Sequence, residues 1–399
     1  MTQRLPKEQI FFNTVAFALC FAMWVMLGPS SATIAEDLDI PLATAKRLKA
    51  APILLGSIVR VPVGILADRL GARFVFPAVI LVSALGTLGL SFSQDATELA
   101  ISALLMGLVG TSFAVGVQSV SSWTPPDKRG FALGIFGAGN VGTAMTTFGM
   151  PFLLAEFGWR STFRIYAFAL IAVAVLYFAL MRNAPRQGAA PTFRALLAPL
   201  KDTRAWRFGV YYMATFGVFV ATTLLVTDIY VDGFGLSLTN AGIIATTFTF
   251  TASLARIPGG KWADTHGARR VLMVSLLTIA TCLLPVSMRL PLFVTATLIF
   301  IAAIAMGAGM AATYRYIPDF YPSEVGAVGG IVGALGGLGG FILPRYFCAP
   351  TEALFGFSQA QVLPIAGFAA AALVVQLFAA RDEGQTLPAT DASGTALNV

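Results

Sequence analysis

Long stretches without a charged residue recur along this chain, and they constrain its fold more than any other feature of the sequence. Eleven such stretches are each close to the roughly 20 residues that a membrane-spanning helix needs. They are Phe11–Ala35, Phe74–Gln94, Leu99–Thr124, Phe131–Ala155, Ile165–Met181, Phe208–Thr227, Gly233–Ala255, Val271–Met288, Leu290–Tyr314, Val325–Pro344 and Ala353–Ala380. Only 11% of the 399 residues are charged, against about 25% in soluble domains. Because the apolar runs show no two-residue alternation, the sequence excludes a transmembrane barrel and predicts an all-α membrane protein.

A repeated motif adds a twelfth span and divides the chain in two. The stretch RVPVGILADRLGARFV (60–75) returns as RIPGGKWADTHGARRV (256–271), at a constant offset of 196 residues. Pairs that are identical at this offset include Arg60/Arg256, Pro62/Pro258, Gly64/Gly260, Asp68/Asp264, Gly71/Gly267, Arg73/Arg269, Gly130/Gly326, Gly134/Gly330 and Gly137/Gly333. The duplication predicts twelve transmembrane helices, arranged as two pseudo-symmetric six-helix bundles.

Composition gives the boundaries of the two halves. Residues 1–182 form the N-terminal half, 183–207 a cytoplasmic linker rich in proline and basic residues, and 208–381 the C-terminal half, while 382–399 form a polar tail that we expect to be disordered. With the N-terminus in the cytoplasm, seventeen Lys and Arg residues fall inside and seven outside. This asymmetry places both termini in the cytoplasm. It also accounts for the net charge of +7 without a nucleic-acid partner.

Arg60 and Arg256 are cations that lie within the predicted spans. Each precedes the loop aspartate of its half by eight residues, roughly 12 Å along a helix. A charge at the centre of a membrane helix costs at least about 2.5–3.5 kcal/mol and by default marks a functional site. Because the halves are equivalent, both guanidinium groups should face one cavity, and the spans hold almost no acidic residue to pair with them. Planar, permanently charged forks suit a small planar oxyanion; a structural ion pair is the alternative.

Two glycine-rich segments occupy equivalent places in the halves: GFALGIFGAGNVGTAMTTFGMP (130–151) in helix 5 and GAVGGIVGALGGLGGFILP (326–344) in helix 11. Small residues at every third or fourth position let helix backbones approach closely and slide or bend against each other. The residues expected to act in this way are Gly134, Gly137, Gly139, Gly142, Gly330, Gly333, Gly336 and Gly337. Tight packing alone is the alternative. Asn140 places an amide on this smooth face, where it can donate to an oxyanion and accept from an arginine.

Two six-helix halves, with GILADRLGAR after helix 2 and its echo after helix 8, resemble the major facilitator superfamily of transporters. In such repeats the substrate binds between the halves near the midplane of the bilayer, and access alternates as one half rocks against the other. The resemblance implies polar contacts at the cytoplasmic side from the loop-motif residues. These are Asp68, Arg73, Asp264 and Arg269.

The paired arginines and the glycine-rich helices are more selective than the loop motif, and they resemble the nitrate/nitrite porter family. The segments FNTVAFALCFAMW (12–24) and YYMATFGVF (211–219) are similar to helices 1 and 7 of that family. The resemblance implies that Arg60 and Arg256 clamp nitrate or nitrite and that Asn140 hydrogen-bonds it. It also implies that Phe113, Tyr212 and Phe216 wall the flat anion above and below.

The expected function is secondary active transport of nitrate, and of nitrite, across the bacterial cytoplasmic membrane by a monomer that needs no cofactor or metal. The absence of Asp, Glu, Lys or His inside the spans favours exchange of nitrate for nitrite. The chain length resembles that of short family members that import nitrate with protons. We therefore expect proton-coupled uptake, with Glu36 and Asp228 as candidate proton carriers, and exchange as the alternative.

Other function classes fit the sequence less well. A sugar or multidrug carrier should show more acidic or amide residues in its spans. A nitrate-binding membrane sensor would be expected to carry a soluble signalling domain. An enzyme would need a nucleophile, a metal cluster or a phosphate-binding loop, and none is recognisable in the spans.

Overall fold

The computed structural model describes residues 7–48, 51–185 and 192–386. In this part of the chain, nine helical stretches are long and apolar enough to cross a membrane, and a bent pair, Ala51–Ile58 and Arg60–Leu70, makes a tenth. The longest stretch, Pro126–Leu180, is broken at Gly158, where φ is 68°, and holds two spans. Leu238–His266 has 29 residues but a more polar composition. With it, the predicted set of twelve helices is complete.

We number the spanning helices α1 to α12 in chain order. Their bounds are Lys7–Asp37 for α1, 51–70 for α2, Ala72–Phe92 for α3, Ala96–Trp123 for α4, 126–157 for α5, 159–180 for α6, Thr203–Phe234 for α7, Leu238–His266 for α8, Ala268–Val286 for α9, Leu292–Phe320 for α10, Val325–Phe355 for α11 and 358–386 for α12. Short helices at Leu42–Leu48 and Phe193–Leu197 lie in the connections.

Several spanning helices depart from regular α geometry, for example α11 at the π-helical segment Pro344–Cys348. Four other departures are a bend of 45° in α2 before Arg60, 3₁₀ turns at Leu108–Thr111 in α4 and Ala138–Asn140 in α5, and a π-helical segment at Met213–Gly217 in α7. Such segments rearrange the backbone hydrogen bonds locally and often occur at functional sites. Each of the four lies at or next to a residue that the sequence singled out.

The two halves meet through direct backbone contact between glycines. A Cβ atom on Gly64 in α2 would lie 2.1 Å from the carbonyl oxygen of Gly326 in α11. A Cβ atom on Gly260 in α8 would lie 2.0 Å from the carbonyl oxygen of Gly130 in α5. These crossings are equivalent under the internal repeat. No residue larger than glycine fits either one without moving the helices apart.

Two helices extend beyond the predicted apolar stretches, into the predicted linker and the predicted tail. Helix α7 begins at Thr203 and not at 208, because Asp202 caps it by accepting a hydrogen bond from the Arg204 N–H at 2.9 Å. Helix α12 continues to 386, beyond the predicted limit of 381, since an established helix extends into polar sequence more easily than a new one starts. The remainder of the predicted tail, 387–399, and linker residues 186–191 lie outside the described residues.

Candidate functional site

Arg60 and Arg256 are both buried, with 1% of their surface exposed. Arg60 follows the bend in α2, and Arg256 lies in the middle of α8. Tyr212 of α7 and Tyr314 of α10 each lie within electrostatic reach of both guanidinium groups. The fold thus brings two cations from opposite halves to one site at the centre of the protein.

The Arg60 guanidinium is held by two backbone carbonyls. Its Nη2 donates to the Gly110 oxygen at 2.7 Å, and its Nη1 donates to the Gly333 oxygen in α11. The Trp24 ring lies 6.0 Å from the guanidinium carbon. Of the three guanidinium nitrogens of Arg60, only Nε has no hydrogen-bond partner among the described residues. Arg60 therefore links α4 of its own half to α11 of the other half.

The Arg256 guanidinium keeps most of its donors free. Its Nη2 donates to the Tyr212 hydroxyl at 3.3 Å, whereas Nε and Nη1 have no acceptor within the described part of the chain. Its carbon lies 5.2 Å from the centre of the Phe113 ring, a cation–π distance. This side chain can accept a small anion without first losing a strong hydrogen bond.

Two further polar groups at the site are buried without partners. Both amide atoms of Asn140, which is 1% exposed, lack a hydrogen bond to the described residues, and so does the Oγ of Ser57, which is fully buried. Each unsatisfied group of this kind costs about 1–3 kcal/mol unless a ligand or water completes it. Ser57 was not predicted. The repeat of SIVR (57–60) as SLAR (253–256) could have indicated it.

Four aromatic rings pack around the arginines. Phe113 and Tyr212 are nearly parallel, 13° apart, with their centres 6.2 Å apart, and Phe216 stacks on Tyr212 at 5.1 Å. Tyr314 meets both Phe113 and Tyr212 edge-on, at 4.9 and 4.7 Å, and its hydroxyl donates to the Gly329 oxygen at 2.9 Å. No sequence pattern distinguishes Tyr314 from the other eight of the nine tyrosines.

The eight predicted glycines fall into two groups. Six of them face the residues of the site, so that a Cβ atom would lie less than 3 Å from a site residue. In this group Gly134 and Gly137 meet Arg256, Gly330 and Gly333 meet Arg60, Gly336 meets Tyr212, and Gly337 meets Ser57. The other two, Gly139 and Gly142, meet Phe17 and Ala18 and pack α5 against α1 within one half.

The loop aspartates connect the halves at the end of the bundle that the charge distribution predicts to be cytoplasmic. Asp68 accepts hydrogen bonds from the N–H groups of Gly326 and Ala327 at 2.9 and 2.7 Å. Asp264 accepts them from Gly130 and Phe131 at 2.8 and 2.7 Å. Each carboxylate thereby caps the first turn of a helix in the opposite half, where the helix dipole favours a negative charge.

The arginines of the loop motif act differently from the aspartates. Arg73 donates from Nε to the Phe178 oxygen at 3.2 Å, a contact within its own half. Arg269 is half-buried at the start of α9, and its expected contact stays a prediction. Asp264 is paired instead with Arg315 of α10, whose Nε lies 2.7 Å from its carboxylate.

The candidate proton carriers lie away from the buried site. Glu36 and Asp228 are exposed at the ends of α1 and α7 that the charge distribution predicts to face outward, and His266 is exposed at the end of α8 that it predicts to face the cytoplasm. Within residues 7–48, 51–185 and 192–386, no cluster of three or more His, Cys, Asp or Glu side chains could hold a metal ion.

Comparison with known proteins identifies the family to which this architecture belongs. The profile of the Major Facilitator Superfamily matches residues 14–227 and 207–394. The chain is 38% identical to the Thermus thermophilus protein named "Probable nitrate/nitrite antiporter NarK1", over 89% of each chain. It is 29% identical to the Bacillus subtilis "Nitrite extrusion protein", over 90% of this chain and 92% of that one. It is 30% identical to the Staphylococcus epidermidis "Probable nitrate transporter NarT", over 94% and 97%.

Solved structures share the fold at low sequence identity. The human organic anion transporter MFSD10 matches with a TM-score of 0.76 and 16% identity, over 94% of this chain and all of that one. The Escherichia coli fucose:proton symporter FucP matches with a TM-score of 0.71 and 15% identity, over 93% and 99%. At such identities the likeness concerns the fold alone.

Two six-helix bundles that enclose a buried polar site between them define a multi-pass membrane transporter rather than an enzyme. The chain belongs to the major facilitator superfamily and, within it, to the nitrate/nitrite porter family. The fold and the family predicted from the sequence are both confirmed.

Proposed function

We propose that the protein carries nitrate, and nitrite with it, across the bacterial cytoplasmic membrane by alternating access between its two halves. One observation carries the proposal: two buried arginines from opposite halves converge on a site where Arg256 and Asn140 have unsatisfied polar atoms. Two buried cations without an anion between them are costly in a low dielectric. The names of the relatives, a nitrate/nitrite antiporter and a nitrate transporter, support the identity of the anion.

The aromatic walls support a flat substrate. Phe113 and Tyr212 present nearly parallel faces, and Arg256 lies against Phe113. A planar anion can lie against such faces with all its atoms while its oxygens accept in-plane hydrogen bonds from a guanidinium group. A tetrahedral anion would touch each ring with fewer atoms and would push the walls apart. We therefore propose that nitrate and nitrite are preferred over sulfate and phosphate.

For the coupling we propose exchange of nitrate for nitrite. The arginines keep their charge at any physiological pH, and the carboxylates of Glu36 and Asp228 are exposed, away from the buried site. A site of fixed positive charge is expected to reorient readily only when an anion neutralises it. Proton-coupled nitrate uptake is the second candidate. Because an anion entering against an inside-negative potential is opposed by about 2.3 kcal/mol per 100 mV, it needs more than one proton per nitrate.

Reconstituted vesicles test both parts of the proposal. Vesicles loaded with nitrite or with buffer alone are given external nitrate, with and without an inward proton gradient. Exchange predicts uptake that requires internal nitrite and ignores the proton gradient. Uptake into nitrite-free vesicles that rises with the gradient would establish symport instead. If folded protein moved neither anion, the assignment of nitrate and nitrite would be wrong.

A further inference from the structure

A cavity of about 770 Å³ lies at the end of the bundle that the charge distribution predicts to be cytoplasmic. Its walls come from the ends of α2 and α4, the segment after α6, and the starts of α3, α5 and α11. The polar side chains that line this end cavity include Asp68, Gln118, Ser119, Ser121, Arg129 and Glu324. It lies apart from the central site, because Ser121 follows Phe113 along α4 by eight residues, about 12 Å.

The internal repeat explains why this space exists. Position 119 in α4 corresponds to position 315 in α10 at the offset of 196 residues. In α10 the residue is Arg315, whose guanidinium group extends to Asp264 and pairs with it at 2.7 Å. In α4 it is Ser119, which is too short to fill the equivalent volume. The N-terminal half therefore has a polar cavity where the C-terminal half has an ion pair.

Arg129 is a cation of the end cavity whose charge is not used by a close ion pair. It is half-buried at the start of α5, and its Nε is buried without an acceptor among the described residues. The carboxylates of Asp264 and Asp319 lie within electrostatic reach of it. Both are already paired with Arg315, at 2.7 and 2.6 Å. The guanidinium group of Arg129 is therefore available to a ligand.

Ser121 supplies a second unsatisfied group on the wall of the end cavity. The residue is 3% exposed, and its Oγ has no hydrogen-bond partner in the described part of the chain. Ser119, in contrast, accepts a hydrogen bond from Nδ2 of Asn13 at 3.2 Å. Leaving a buried hydroxyl unpaired is unfavourable. The Ser121 hydroxyl can donate to an oxygen of an anion that a guanidinium group holds.

Two carboxylates on the opposite wall limit how tightly an anion can bind. Asp68 accepts hydrogen bonds from Gly326 and Ala327, so the first turn of α11 offsets its charge. Glu324 is half-buried and does not cap α11 with its side chain. Its negative charge opposes an anion on Arg129. The balance predicts weak binding, which suits a site that a transported ion has to leave.

A packed layer separates the end cavity from the central site. Val117, which is 1% exposed, lies between Phe113 and Ser121 on α4. A Cβ atom on Gly329 of α11 would lie 3.9 Å from Val117 and 3.4 Å from the ring of Tyr314. An anion can pass between the two places only when the halves move apart at this layer.

We propose that the end cavity is a second, weak binding site for a small monovalent oxyanion, held by Arg129 and Ser121. Nitrate or nitrite would occupy it between the central site and the cytoplasm. This inference rests on the proposed function, because it takes the same anions as ligands. A positive group at the mouth raises the local concentration of the anion that must enter there. The site therefore acts at one face of the carrier only.

Half-saturating concentrations measured separately at the two faces test the proposal. Exchange is followed with external nitrate in intact cells that express only this nitrate carrier, and with external nitrite in inverted membrane vesicles. We expect Arg129→Gln to raise the half-saturating nitrite concentration in inverted vesicles about fivefold and to change the nitrate value in cells less than about 1.5-fold. Glu324→Gln should lower the value in inverted vesicles about twofold, because a repulsive charge is removed.

Lys261→Gln is the matched control. It removes an exposed positive charge from the same end of the bundle, on α8, at a position that does not line the end cavity. Both half-saturating values should stay unchanged. If Arg129 only helped to keep the halves closed, its loss would alter the balance of the two states and shift the values at the two faces in opposite directions. That result, or an unchanged value in inverted vesicles, would overturn the proposal.

Ser121→Ala keeps every charge and serves as the second variant if Arg129→Gln does not fold. It should raise the half-saturating nitrite concentration about twofold at the cytoplasmic face alone, since one hydrogen bond to the anion is lost. No change at that face would again overturn the proposal. Failure of the unsubstituted chain to exchange nitrate for nitrite in either preparation would instead refute the proposed function, so the two failures are distinguishable.

Discussion

Asn140 is the residue at the site whose polar atoms depend most on a ligand. It ends the 3₁₀ turn Ala138–Asn140 of α5, and neither end of its amide meets a partner in the described part of the chain. An amide in this position can donate to an anion that Arg256 holds. The residue would therefore contribute to the affinity for the anion.

Two substitutions at Asn140 separate its hydrogen bond from its polarity. Asn140→Ala should raise the nitrate concentration for half-maximal uptake about tenfold or more, because a hydrogen bond to a charged group contributes about 1.5–3 kcal/mol. Asn140→Asp should abolish uptake, since a buried carboxylate would repel the anion and neutralise the arginines. The concentration dependence of uptake into vesicles measures both. Wild-type behaviour of Asn140→Ala would remove this residue from the site.

The sequence indicates those site residues whose type is rare in a membrane helix and does not indicate those whose type is common there. Arg60 and Arg256 stand out because a charge inside an apolar span is rare and because the repeat pairs them. Ser57 does not stand out, because a serine in a membrane helix commonly bonds to its own backbone, as Ser253 does to the Thr249 oxygen at 2.8 Å. Tyr314 is recognisable only once folding brings its ring against Phe113 and Tyr212.

Among the helices, the contacts of α2 with α11 and of α5 with α8 close the side of the bundle that the charge distribution predicts to be cytoplasmic. Each crossing combines glycine backbones in contact with an aspartate that caps the helix of the other half. The linker strengthens the first crossing, because Leu196 is buried against Ile65 of α2 and Ala327 of α11. Opening towards the cytoplasm must break both caps.

Neutralising one cap should favour the cytoplasm-open state. Asp264→Asn loses the ion pair with Arg315 and the charge at the first turn of α5, which together should shift the equilibrium about tenfold. Spin labels at Leu70→Cys and His266→Cys, on exposed cytoplasmic ends of the two halves, report the separation. In Asp264→Asn, a larger fraction of molecules should show the longer distance between the two labels.

Asp319→Asn is the matched control for this experiment. It also removes a carboxylate that pairs with Arg315, at 2.6 Å, but that contact lies within α10 and does not cross the halves. Its distance distribution should remain that of the unsubstituted chain. An equal shift in both variants would show that the cap from Asp264 on α5 does not keep the two halves together at this side.

The glycines of α5 provide a prediction about packing within one half. Gly142→Ala would place a Cβ atom 1.9 Å from the Ala18 carbonyl oxygen of α1, and such overpacking costs about 1–3 kcal/mol. Gly149→Ala, in the same helix, meets nothing within 4 Å and should be neutral or slightly stabilising. The melting temperature in detergent should fall for the first variant alone. Equal melting temperatures would mean that α1 and α5 can move apart without loss of stability.

The helices themselves could be predicted from the sequence, but their interruptions could not. Hydrophobic runs of the right length predicted the spans, and the offset of 196 residues predicted their pairing across the halves. The 3₁₀ turns in α4 and α5 and the π-helical segment in α7 contain no proline. They are set by packing between helices, which no local pattern reports.

For the molecule as a whole, the charge distribution predicts an orientation in the membrane that the fold does not decide. The loop between α3 and α4 should face outward and the loop between α8 and α9 inward. A membrane-impermeant maleimide applied to intact cells should label Gln94→Cys and leave His266→Cys unlabelled until the cells are opened. Both positions are exposed, and Cys20, Cys282 and Cys348 are buried, so native background should be low. The opposite labelling would invert the orientation.

Pseudo-symmetry is the property of the whole molecule that connects fold and function. It brings Arg60 and Arg256 to one site, yet the two halves differ there in their helix breaks and hydrogen bonds. The duplication could be read from the sequence. The asymmetry could not, because it depends on which backbone carbonyls lie within reach of each guanidinium group after packing.

The central claim is that a planar anion binds between the halves, next to Arg256 and Asn140. An experimental structure determined with nitrate present tests it most directly. The account predicts flat density within hydrogen-bond distance of Arg256 and Asn140, bounded by the rings of Phe113 and Tyr212. Nitrate located elsewhere, or a site between the arginines that remains without density at saturating nitrate, would contradict it.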